Sequence, residues 1–84
     1  MSDIEFDVLD ELYFVTPFEK LLEELTVKDE ELKTCLLGLL EKKWVKCFKS
    51  MDEEAPEHKL DFDNKYKTYA YLATKEGLLA HNRL

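Results

Sequence analysis

The apolar positions of the chain recur first with the period of a helix and later with that of a strand. In "DIEFDVLDELYFV", residues 3–15, Ile4, Val8, Leu12 and Val15 fall at nearly helical spacing and Leu9 widens the stripe. The acids between them favour the positive end of the helix dipole. In "TPFEKLLEEL", residues 16–25, the stripe is Phe18, Leu21, Leu22 and Leu25. Thr16, Pro17 and Glu19 read there as N-cap, first helical proline and third residue of a capping box, so a new helix starts at Thr16. Thr26 followed by Asp29 repeats that signal and opens a third helix with Leu32, Cys35, Leu36, Leu39 and Leu40 on its inner face. Leu37 falls off the stripe, Gly38 suggests close packing, and Lys42 and Lys43 suit the negative end of the helix.

After Trp44 the period changes. In "WVKCFKS" Val45 and Cys47 point one way, Lys46 and Phe48 the other. In "KYKTYAYLA", residues 65–73, Tyr66, Thr68, Ala70 and Leu72 alternate with Lys65, Lys67, Tyr69 and Tyr71. The two runs predict an antiparallel hairpin joined by the polar residues 51–64. Thr74 then caps a short last helix with Leu78 and Leu79 turned inward. With only two Gly and two Pro among 84 residues, no linker or repeat interrupts this order, so a single domain over residues 1–84 is expected.

The order of helix, helix, helix, strand, loop, strand, helix resembles a winged helix domain. "TPFEKLLEELTVKDEELKTCLLGLLEKKWV" resembles the helix-turn-helix of the winged helix family of transcriptional regulators, with its "L-x-x-L-x-x-x-G-hydrophobic-V" entry into the wing. "YAYLATKEG" resembles the "Y-x-L-T-x-x-G" that closes the wing. The resemblance implies an α+β winged helix: a three-helix bundle, a two-stranded antiparallel wing and a short C-terminal helix. Lys43 stands where the family has Gly at the end of the third helix, which implies a junction that turns differently.

In such a domain the third helix would enter the DNA major groove, exposing Lys28, Asp29, Glu30, Lys33, Thr34 and Leu37. Charge alters that picture. The net charge of −7 combines eleven acids and two bases in residues 1–31, six acids and one base in 51–64, and nine bases with two acids elsewhere. Asp29, Glu30 and Glu31 would repel phosphates, and so would an acidic wing. The basic set Lys42, Lys43, Lys46, Lys49, Lys65 and Lys67 is expected at the far end of the third helix and the base of the hairpin. It would either meet an acidic partner, such as the acidic helix of another copy, or be solvated charge that discourages strand aggregation. A protein partner or a homodimer is therefore favoured over DNA. A DNA-binding regulator, using the third helix and wing, is the rival, and an acidic mimic of DNA is a third reading.

The remaining chemistry is sparse. Cys35 and Cys47 suit core thiols of a reducing compartment, and with His58 and His81 they lack the short spacings of a zinc site. No cofactor or metal is expected. His58 and His81 read as surface residues, and no phosphate loop, nucleophile elbow or HExxH pattern occurs, so no enzyme is expected. Tyr66, Tyr69 and Tyr71 could stack bases or pack in the core. Trp44 ties the third helix to the hairpin, or would anchor a dimer interface. The acidic N-terminus and the shortness of the apolar runs point to a cytoplasmic protein without a membrane span.

Overall fold

A computed structural model of the chain describes residues 1–50, 53–55 and 61–83. Helix α1 (Asp3–Glu11) leads to a two-residue strand β1 (Thr16–Pro17) and helices α2 (Phe18–Leu25) and α3 (Asp29–Glu41). Strands β2 (Val45–Ser50) and β3 (Glu53–Glu54) follow, then a single turn α4 (Phe62–Lys65) continued by a 3-10 turn at Tyr66–Thr68. Strand β4 (Ala70–Ala73) and helix α5 (Lys75–His81) complete an α+β arrangement. The strands form one antiparallel sheet in the order β1-β4-β2-β3.

The helical stripes close over one face of this sheet. Val8, Leu9, Leu12, Phe18, Leu21, Leu32, Leu36 and Leu39 share a core with Val45, Cys47 and Tyr71. Val45 pairs with Ala73 and Cys47 with Tyr71, so the inward sides of β2 and β4 match, as the alternation of β2 requires. Tyr71 is fully buried, and its hydroxyl donates to the Tyr66 carbonyl at 2.8 Å.

Several local signals yield to tertiary pairing. Helix α1 ends at Glu11 rather than Val15, because the Leu12 carbonyl accepts from Ala73 N–H at 2.9 Å and draws the chain to the sheet. Thr16 does not cap α2. It pairs with Tyr71, its Oγ1 donates to the Phe14 carbonyl at 2.8 Å, and Pro17 is the N-cap residue. Thr26 likewise ends α2 in the left-handed region, φ 49°, and α3 starts after Lys28. The expected strand over 65–69 is absent; those residues belong to α4, the 3-10 turn and the entry to β4, and only 70–73 pair with β2. Leu79 faces outward, 48% exposed, whereas Leu78 packs on the core.

The junction after α3 turns as a glycine would turn it. Lys43 has φ 65°, its N–H donates to the Leu40 carbonyl at 3.1 Å, and the Trp44 N–H donates to the Leu39 carbonyl at 3.0 Å. This is the paired closure of a Schellman motif. The different turn expected from a lysine is therefore not found; the helix end is strong enough to hold Lys43 left-handed. Lys43→Gly relieves that strain, and the midpoint of urea unfolding should rise by an amount equivalent to about 1 kcal/mol.

Candidate functional site

Three features surround α3: a pinned first turn, a groove against α1, and a small hollow beside Trp44. The first turn is held by the 62–68 segment. Tyr66 Oη donates to Asp29 Oδ1 at 2.5 Å, and Lys67 Nζ lies 3.2 Å from Asp29 Oδ2. Lys33 Nζ sits 4.8 Å from the centre of the Tyr66 ring and 3.4 Å from Asp63 Oδ1. Tyr66 is placed there by Phe18, edge-on at 5.1 Å, and by Phe62 at 5.7 Å. Asp61 N–H donates to Tyr69 Oη at 3.2 Å, which fastens the start of the segment to its end.

The hydrogen bond from Tyr66, reinforced by Lys67, holds the Asp29 carboxyl below its ordinary range. The same bond pushes the Tyr66 phenol up, and Asp29 pushes Lys67 up. A lowered carboxyl stabilises the fold above its unfolded pKa, and the contribution fades as pH falls through the folded value. Tyr66→Phe removes the main cause, so Asp29 should titrate closer to an ordinary aspartate, as read by a pH series of its carbon resonance. A titration unchanged by the substitution would show that Lys67 alone holds the charge.

Of the six residues expected on the recognition face, Asp29 and Lys33 are therefore engaged from within the chain. Lys28, Glu30, Thr34 and Leu37 remain exposed. Glu30 and Thr34 border a groove of about 500 Å3 between the start of α1 and α3. Its apolar lining includes Ile4, Cys35 and Gly38, and its rim carries Glu5, Glu30 and Glu31. A β-carbon at Gly38 would meet nothing within 4 Å, so this glycine opens the groove; the expected close packing is not found. Burial works against ionisation of Glu5, but Lys42 at 2.7 Å and the Ser2 N–H outweigh it, and the carboxyl is lowered.

The basic set falls into two groups. Lys42 and Lys43 follow the C-terminal end of α3, and Lys46 and Lys49 lie on β2. Lys67 reaches Asp29 at the opposite end of α3, and Lys65 lies just before it, on α4. Thirteen residues of helix separate the groups by roughly 20 Å. Lys42 is paired with Glu5, Lys46 with Glu54 and Lys67 with Asp29. Lys42 Nζ also stands 4.8 Å from the centre of the Trp44 ring. Beyond it, Trp44, Leu79 and Ala80, with Glu76 and Arg83, line a hollow of about 280 Å3.

His81 is not a surface residue. It is buried between α5 and α1, stacked on Phe6 at 4.3 Å, with Nδ1 3.2 Å from Tyr13 Oη. Its Nε2 is 3.4 Å from Asp10 Oδ1 but makes no hydrogen bond among the described residues. His58 lies outside the described residues. Cys35 and Cys47 are free and buried, and burial pushes both thiols up to about 12, so they remain protonated at neutral pH. Among the described residues no group of three His, Cys, Asp or Glu could hold a metal, and no helix is long and apolar enough to cross a membrane.

Sequence reasoning missed the groove and the role of Tyr66. Gly38, outside any turn, was the available signal for the groove; nothing local marks the contact of Tyr66 with Asp29, 37 positions away. Comparison with protein-family models, with curated proteins and with solved structures finds no match to this chain.

Proposed function

We propose that the protein is a noncatalytic regulatory or interaction module of winged helix type that acts through protein contacts. The winged helix reading is supported by three helices followed by the antiparallel β2–β4 pair and α5, the order the family implies. One observation carries the preference for protein over DNA. Lysines at both ends of α3 are neutralised by the chain's own carboxylates, Lys67 by Asp29, Lys33 by Asp63 and Lys42 by Glu5.

Affinity for duplex DNA comes largely from lysines and arginines that displace counterions from phosphates. Here contacts from Lys33, Lys42 and Lys67 would first have to break internal pairs, and the exposed Glu30 and Glu31 add negative charge to the first turn of α3. An apolar groove with an acidic rim suits a protein surface better. Titrating the protein into mixed-sequence duplex DNA at low salt should give no binding that falls steeply with added salt. Binding with such a slope would instead favour a DNA-binding regulator using α3 and the wing.

A further inference from the structure

We infer that two copies of this chain form a twofold dimer, the α1–α3 groove of each receiving the Leu79 face of α5 from the other. This rests on the protein-contact reading above and deepens it by naming the partner.

The two surfaces are complementary in charge and shape. The groove has an apolar lining at Ile4, Cys35 and Gly38 and an acidic rim at Glu5, Glu30 and Glu31. Among the described residues Glu30 and Glu31 form no ion pair. On α5, Lys75 and Leu79 stand four positions apart and so share one face, and Arg83, in the turn after the helix, lines the Trp44 hollow with Leu79. All three are exposed, and neither Lys75 nor Arg83 has an ion pair among the described residues. Leu79 is thus an apolar side chain between two cations, facing solvent beside the Trp44 hollow. Glu76 is the opposing charge in that lining. The open space above Gly38 is where a leucine could enter.

Their placement explains why the contact closes. Lys42 bonds Glu5 on the groove rim and also lies over the Trp44 ring of the hollow, so the two surfaces adjoin across one side chain. A head-to-tail contact between distant patches would build a ring or a filament, whereas two adjacent complementary patches can satisfy each other about a twofold axis. Phe14, the most exposed of the large apolar side chains, is a poorer occupant. It follows Asp10 and Glu11, whose charge would oppose the groove rim.

Sedimentation velocity on the whole chain tests this, from micromolar to millimolar protein at low and at high salt. A species of twice the single-chain mass should form with concentration and weaken with salt. The double variant Glu30→Lys with Glu31→Lys, and separately Lys75→Glu with Arg83→Glu, should each weaken dimerisation at least about tenfold. Mixing the two variants should restore a dimer, because each reversed surface then meets its opposite. All four positions are exposed, and circular dichroism checks that the variants fold. A single-chain mass under every condition overturns the inference, as does a dimer indifferent to the charge reversals. Neither result bears on the DNA titration, so failure of the dimer and failure of the protein-contact reading are told apart.

Discussion

Gly77→Ala should abolish the folded state or leave it barely populated at room temperature. A β-carbon there would stand 2.1 Å from the carbonyl oxygen of Trp44, well inside any allowed contact. That oxygen cannot retreat, because it accepts the Thr74 N–H at 2.9 Å at the start of β2. Nor can α5 back away easily. Thr74 Oγ1 accepts from Gly77 N–H at 3.1 Å while donating to the Lys43 carbonyl at 2.7 Å. Overpacking a core ordinarily costs about 1–3 kcal/mol through yielding side chains; here backbone meets backbone, and the loss should exceed about 3 kcal/mol. Gly38→Ala is the control. The added methyl meets open space, so only the better helix propensity acts, and stability should rise by up to about 1 kcal/mol. Urea midpoints of the pair should move in opposite directions; a midpoint unchanged or raised in Gly77→Ala would mean that α5 does not approach Trp44 as described.

Phe18→Ala should be the next most damaging of these changes, lowering stability by about 3–5 kcal/mol. The ring is 1% exposed and anchors the start of α2 beneath the sheet. Net stabilities of small domains are about 5–15 kcal/mol, so the variant should melt far below the parent. A local consequence separates this from simple loss of core. Phe18 is the edge-on neighbour of Tyr66, so truncation loosens the phenol that bonds Asp29. In the folded fraction, Asp29 should then titrate closer to an ordinary carboxyl. Phe14→Ala, at a ring 81% exposed, should leave the melting temperature nearly unchanged.

These two residues also show what the chain discloses about itself. Gly77 belongs to the "TKEG" stretch whose threonine cap was legible, because a cap and its helix lie within four residues. The inner faces of α1, α2 and α3, and the alternation of β2, were legible for the same reason. Periodicity is a local property that the core then uses. What failed depended on residues far apart in sequence. Thr16 carries the spacing of a helix cap, but its backbone is claimed by Tyr71. Residues 65–69 alternate like a strand, yet Tyr66 packs on Phe18 and reaches Asp29 instead. His81 lacks a local mark of burial, since its stacking partner Phe6 is at the other end of the chain. The lysines were visible as a composition, but not their carboxylate partners, which decide whether they are available to a polyanion.

The ends of the sheet carry a consequence for how this molecule can associate. Its two outer strands are two residues long: one ends in Pro17, which has no N–H to offer, and the other consists of Glu53 and Glu54. A foreign strand seeking to extend the sheet would find too few backbone groups on one side and paired negative charge on the other. Growth by strand addition, the shared route to donor-strand complexes and to fibrils, is therefore disfavoured at these two short strands.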